Sequence, residues 1–285
     1  MRIPFILADV FTDRPLAGNQ LCVVPDSTGL TDDRMQAIAS EINFSETTFV
    51  TEAAGDRYAM RIFTPGGELP FAGHPSLGTA FVLVANGRIT SPATQVVKAG
   101  EFALEADPAS GFARMRQHAP EFGEPYEDRE ALARAAGIAV EDLHPDLTAQ
   151  PVSTGIFHLM VPVARREAVA NARPDLGAVG DVLHKAGGDA FYLFAADDEG
   201  AKARLFDATH GIGEDPATGS AAGPLGCFLV HHGARSAGRL TITQGVEIGR
   251  PSTLMVDVEP DGDSWSVHVG GGVAIVGDGT FDLPG

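Results

Sequence analysis

His74-Pro75-Ser76-Leu77-Gly78-Thr79-Ala80 and Asp215-Pro216-Ala217-Thr218-Gly219-Ser220-Ala221 share one pattern: a polar residue, Pro, two variable positions, Gly, a hydroxyl residue and Ala. The copies lie 215 − 74 = 141 positions apart in a chain of 285 residues. Each opens an apolar run, Phe81-Val82-Leu83-Val84 or Cys227-Phe228-Leu229-Val230, and each run closes at a glycine, Gly87 or Gly233. Proline near the start and glycine past the end delimit a helix, because proline has no N–H to leave unsatisfied in the first turn and glycine takes the left-handed cap without strain. Flanking landmarks keep nearly the same offset. Arg61-Ile62-Phe63 answers to Arg204-Leu205-Phe206 (204 − 61 = 143), and Gly100 to Gly245 (245 − 100 = 145). The pattern predicts two similar halves, each built on one apolar helix whose first-turn N–H groups could hold an anion in a cleft between the halves.

Around these helices the chain reads as short strands. Candidate runs fall at 5–8, 22–24, 46–50, 58–63, 96–97, 102–105 and 112–117, then at 157–163, 190–195, 203–206, 240–243, 253–259 and 265–269. Helix signals are fewer. Thr31-Asp32-Asp33-Arg34 caps a segment with Met35, Ile38, Ala39 and Ile42 at helical spacing, and 129–136 and 167–170 are further candidates. Many strands around one central helix per half make an α+β fold of two pseudo-symmetric domains, each a curved, mostly antiparallel sheet wrapped around a helix. The Pro, Gly and acid-rich stretch at 119–128 sets the boundary. The first domain spans 1–124, with the last strand at 273–285 able to return to it past Gly270-Gly271-Gly272, and the second spans 125–272.

Lys and Arg total 20 against 38 Asp and Glu, a formal charge of 20 − 38 = −18, which repels nucleic acid and anionic membrane. Cys22 and Cys227 both sit in apolar runs and read as buried filler, neither a disulfide framework nor a metal site. The chain enters a strand directly from Met1-Arg2-Ile3-Pro4-Phe5, and no run reaches membrane-spanning length, so the expectation is a soluble cytoplasmic protein. No dinucleotide fingerprint, phosphate-loop Lys, His-Glu-x-x-His or paired Cys cluster is present, and the adjacent pair His231-His232 diverges on a helix. Neither metal nor cofactor is expected.

Glu46 in Asn43-Phe44-Ser45-Glu46-Thr47-Thr48-Phe49-Val50 enters a strand just after a helix and is the leading general acid/base candidate. Apolar walls at Phe44 and Phe49 would disfavour its charged form by desolvation. His74 and Asp215 fall at the expected N-caps, where the helix dipole favours a neutral imidazole. Gly73, Gly219 and Ser220 would let helix-start N–H groups approach a carboxylate. A solvated strand-edge Glu, plain helix caps and small-residue helix packing are the structural alternatives for these residues.

Through these residues the chain resembles the PhzF family of phenazine-biosynthesis-like proteins, which share the diaminopimelate epimerase fold. The resemblance rests on Asn43-Phe44-Ser45-Glu46; on Arg61-Ile62-Phe63-Thr64-Pro65 with Glu68-Leu69-Pro70-Phe71-Ala72-Gly73-His74-Pro75; on 214–225; and on 244–252. It implies an active site in the cleft between the domains, no cofactor and a homodimer. It also implies isomerisation of a small carboxylate such as trans-2,3-dihydro-3-hydroxyanthranilate, with Glu46 as proton shuttle, His74 and Asp215 assisting, and Ser45, Gly73 and Ser220 lining the site. Two departures stand out: Gln20 in Gly18-Asn19-Gln20, where the family often has Pro, and 206–211 around His210. A distant relative, diaminopimelate epimerase, uses two thiols at the helix starts, places read here as His74 and Asp215. Cys22 and Cys227 lie elsewhere, so a cysteine pair does not operate. Racemisation or epimerisation of a small amino acid, and non-catalytic binding of a small acid, are the alternative functions.

Overall fold

Two helices that are apolar on every side have no face to offer water, so the sheets must wrap them. The computed structural model describes residues 1–208 and 213–283. The chain divides into two units, Met1–Arg116 with Gly270–Gly285, and Gln117–Val269. The changeover at 116/117 precedes the 124/125 boundary because Gln117 already bonds inside the second unit, to Gly219 and Thr154.

The first unit runs β1 (Arg2–Val10), β2 (Asn19–Val24), α1 (Asp32–Ile42), β3 (Glu46–Ala54), β4 (Arg57–Thr64), β5 (Gly67–Leu69), α2 (Gly73–Ala85), β6 (Ala93–Val97), β7 (Gly100–Asp107) and β8 (Phe112–Arg116). The Thr31 side chain accepts from Arg34 N to start α1, and Asn43, at φ 55°, stops it in the left-handed conformation that Asn tolerates. Met35, Ile38 and Ala39 of α1 pack on Val24, Phe49 and Phe63. On the other side of the sheet α2 is enclosed, with every residue from Gly73 to Leu83 buried.

The second unit runs β9 (Glu121–Phe122), α3 (Arg129–Ala136), β10 (Gln150–Ser153), β11 (Phe157–Pro162), α4 (Arg166–Asn171), α5 (Leu176–Ala186), β12 (Ala190–Asp197), β13 (Gly200–Asp207), β14 (Gly213–Asp215), α6 (Gly219–His231), β15 (Gly238–Gln244) and β16 (Ser252–Asp261). The long β17 (Ser264–Asp282) carries the chain back into the first unit. There it pairs with β1 and β8, and the circuit β1-β2-β3-β4-β6-β7-β8-β17 closes on itself around α2.

The pairings repeat between the units. In the first, β1/β2 is antiparallel, β2/β3 parallel, β3/β4 and β4/β5 antiparallel, β4/β6 parallel and β6/β7 antiparallel. In the second, β10/β11, β11/β12, β12/β13, β13/β14, β13/β15 and β15/β16 follow in the same order and sense. The duplication is real, but the repeated sequence motif is out of register with it. The central helices begin at Gly73 and Gly219, an offset of 219 − 73 = 146, against 141 for the motif. The first copy therefore lies inside the opening turns of α2, whereas Asp215-Pro216-Ala217-Thr218 precedes α6.

Close approach of helix to sheet depends on small residues. A Cβ on Gly78 of α2 would lie 2.5 Å from Leu21 Cδ2 and 2.8 Å from Val10 Cγ2; one on Gly226 of α6 would lie 2.8 Å from Val256 Cγ1 and 2.9 Å from Val258 Cγ2. β-Branched valines have little rotamer freedom to retreat. Gly226→Ala is expected to lower unfolding stability by about 1–2 kcal/mol, overpacking outweighing the helix-propensity gain. Gly277→Ala, whose Cβ meets nothing within 4 Å, should stay within about 0.5 kcal/mol of the parent in equilibrium urea unfolding.

Candidate active site

In the first unit, Asn43 turns the chain out of α1 and delivers Ser45 and Glu46 to the start of β3. The first rung of the parallel ladder pairs Leu21 with Glu46, so the carboxylate lies beside the opening residues of β2. The first turn of α2 brings His74 to the same place. His74 Nε2 lies 3.6 Å from Glu46 Oε2 and 3.3 Å from the Gln20 carbonyl oxygen, while Asn19 Nδ2 lies 3.3 Å from His74 Nδ1. Ser45 Oγ donates to Asn19 Oδ1 at 3.3 Å. Glu46 and His74 are 8% and 5% exposed.

Two details differ from the sequence expectation. His74 is the second residue of α2 and not its N-cap, which is Ala72 and carries no capping side-chain bond. Phe49 is not a wall for Glu46 either. Strand side chains alternate, so Glu46 shares a face with Thr48, which bonds Thr79 of α2, while Phe49 points to the opposite face against Phe63 and α1. The departure at Gln20 is also explained: His74 meets its main-chain carbonyl, a group that proline equally possesses.

In the second unit, Asp215 ends β14 and is likewise not a cap; Thr218 is the N-cap of α6. The Thr218 hydroxyl donates to Asp215 Oδ2. Gln244, 1% exposed at the end of β15, organises the turn between them. Its Nε2 donates to Asp215 O (2.8 Å) and Thr218 Oγ1 (3.0 Å), and its Oε1 accepts from the Tyr192 hydroxyl (3.0 Å) and Thr218 N (3.3 Å). Gly245, at φ 76°, lets the next loop pass where a Cβ would lie 2.3 Å from Arg250 O and 2.5 Å from Pro216 O. The Gly219 carbonyl accepts from Gln117 Nε2 at 3.0 Å, and Ser220 Oγ lies 3.0 Å from His158 Nε2. His210 falls outside the described residues.

The structure places the expected residues Ser45, Glu46, Gly73 and His74 in one unit, and Asp215, Gly219 and Ser220 in the other. Asn19, Gln117, His158, Thr218 and Gln244, which hydrogen-bond to them, were not among the expected site residues. Asn19, Thr218 and Gln244 carried a readable signal, because each falls inside a quoted motif. Burial pushes the Cys22 and Cys227 thiols up to about 12, so neither supplies a thiolate near neutral pH. A separate depression of about 960 Å³ in the second unit, near His144, Asp197, His232 and Arg235, holds none of the expected site residues. Its cations are engaged: Arg235 donates to two carbonyls and Arg239 pairs with Asp257.

The model of the phenazine biosynthesis-like protein family, PhzC-PhzF, matches residues 8–279. The chain belongs to the PhzC-PhzF family. A trans-2,3-dihydro-3-hydroxyanthranilate isomerase of Pseudomonas chlororaphis is 37% identical over 98% of this chain and 99% of that protein. The crystal structure of a PhzF-family protein of Bacillus anthracis matches 99% of this chain and 100% of its own, with a TM-score of 0.91 and 29% identity. A probable proline racemase of Agrobacterium radiobacter shares the fold at a TM-score of 0.64 and 12% identity, covering 99% of this chain and 93% of its own. This PhzF-family protein is an isomerase with the α+β, epimerase-like fold. Among the described residues no helix is long and apolar enough to cross a membrane.

Full burial holds His158 neutral, its pKa pushed down from 6.5 to about 4, with Asp207 opposing part of the shift. A histidine whose folded pKa lies below its unfolded value binds a proton in the unfolded state first. Its contribution therefore erodes as pH falls from about 6.5 toward 4, by about 3 kcal/mol in all. Urea unfolding of the parent should show this loss between neutral pH and pH 4, and His158→Gln should flatten that part of the profile.

Proposed function

We propose that this PhzF-family isomerase moves a proton within a small unsaturated carboxylic acid of the trans-2,3-dihydro-3-hydroxyanthranilate type, with Glu46 as acid/base and without metal or coenzyme. The observation that carries the reading is the buried Glu46 carboxylate, 3.6 Å from His74 Nε2. Glu46 takes the proton from a carbon adjoining the conjugated system. The electron pair passes into that system, and the same carboxyl returns the proton to another carbon. The family resemblance gives His74 and Asp215 assisting roles, and Ser45 and Ser220 offer hydroxyls. The opening turn of α2, not capped by a side chain, supplies N–H donors for the carboxylate at Gly73.

The names of near-full-length relatives support the substrate class. Epimerisation with a base on each face is less well supported. It needs His74 or Asp215 as a second base, because the position matching Glu46 in the second unit is Ala190. The family resemblance also carries the proposals of a homodimer and a cytoplasmic location.

Glu46→Gln keeps the size of the side chain and removes the base. It is expected to reduce solvent deuterium incorporation into trans-2,3-dihydro-3-hydroxyanthranilate by about 10²–10⁴-fold, with the unfolding midpoint changed little. Undiminished exchange would remove Glu46 from the mechanism. Inversion at a single carbon would favour an epimerase, and calorimetric binding without exchange in the parent would favour a binding protein.

A further inference from the structure

The proposed reaction leaves Asn19 without a part, although its amide meets the ring nitrogen of His74 that is turned away from Glu46. His74 Nε2 is flanked by the Gln20 carbonyl oxygen at 3.3 Å and Glu46 Oε2 at 3.6 Å. Carbonyl and carboxylate oxygens only accept, so the nitrogen facing both carries a proton. In a neutral imidazole the bare lone pair is then on Nδ1, where Asn19 Nδ2 stands at 3.3 Å. The other end of the amide is matched as well, because Ser45 Oγ donates to Asn19 Oδ1 at 3.3 Å. Asn19 is 1% exposed and His74 5%, so bulk water is not at hand to repair a mismatched donor or acceptor.

We propose that Asn19 is a positioning residue that fixes His74 as the neutral Nε2–H tautomer, with that N–H donated to the Gln20 carbonyl oxygen on the side of the ring that faces Glu46. The directed chain runs from Ser45 Oγ–H to Asn19 Oδ1, from Asn19 Nδ2–H to His74 Nδ1, and from His74 Nε2–H to the Gln20 carbonyl oxygen, beside Glu46. Its catalytic meaning rests on the reading of Glu46 as the proton carrier. The basic nitrogen of His74 is occupied by Asn19 and its N–H stands on the Glu46 side of the ring, so the imidazole does not compete for the substrate proton. One carboxyl group then both removes and returns it.

Nuclear magnetic resonance of protein labelled with nitrogen-15 in its histidine rings tests this without substrate, the His74 signals being assigned by their loss in His74→Gln. The parent at neutral pH should show a protonated Nε2 and a bare Nδ1. Asn19→Asp replaces the donor by an acceptor and leaves acceptors on both sides of the ring, so His74 should then carry protons on both nitrogens. In the isomerisation assay the same variant should lose about 10²-fold or more in kcat, approaching the ~10⁴-fold cost of a wrong histidine tautomer in a Ser-His-Asp triad. A protonated Nδ1 in the parent, or an Asn19→Asp ring still protonated on Nε2 alone, overturns the proposal. The parent spectrum decides even if Asn19→Asp does not fold. Because the ring signals require no turnover, failure of the proposed reaction in the deuterium assay is a separate result.

Discussion

A helix buried on all sides forces the rest of this structure. Most helices satisfy the core with one stripe and meet water with the other, but α2 has no polar face, and Gly78 brings its backbone against β1 and β2. Its first turn consequently ends inside the protein, at the height where the parallel pair β2/β3 begins. Polar side chains placed there are buried by construction, and buried polar groups must find partners. Asn19, Ser45, Glu46 and His74 meet because three chain segments converge at the mouth of one enclosed helix.

The same scaffold occurs twice, and the chemistry lies in how the copies differ. Glu46 answers to Ala190, and Leu21, the ladder partner of Glu46, answers to His158. Counting from the helix starts, His74 answers to Ser220. One unit therefore holds a carboxylate against an imidazole, and the other a hydroxyl against a buried neutral histidine. Duplication supplies the frame and the helix mouths; divergence at a few positions gives each mouth different side chains.

The frame was legible because its signals are local and strong: apolar runs closed by glycine, strand-length segments and the Thr31 cap. The helix Leu176–Ala186 escaped notice although Asp175 accepts from Gly177 N and Ala178 N and Gly187 closes it in the left-handed conformation. Gly177 and Gly180 dilute its apolar stripe, and weak propensity masked good caps. The motif repeat misled in detail for a related reason. A shared string of residue types reports similar local chemistry, while helix boundaries depend on which residue supplies the cap. Asp215 looks like the better cap, but Gln244 from a distant strand fixes its carbonyl and the Thr218 hydroxyl, and α6 starts later. Contacts such as Asn19 to His74 or Gln244 to Asp215 span 55 and 29 positions. No period or spacing in the sequence encodes them.

The treatment of charge separates the site from the surface. Several acidic side chains elsewhere are held by guanidinium groups: Arg61 beside Glu68 and Arg57 beside Glu101 keep those carboxyls below their ordinary range, and Arg166 does the same for Asp197. A carboxylate locked in that way is a poor base, because the fixed positive charge must be overcome each time it takes a proton. Glu46 faces an imidazole instead. A neutral imidazole places no permanent charge beside the carboxylate. On the proposed reading, histidine in place of arginine at the second position of α2 spares the proton carrier a fixed positive charge.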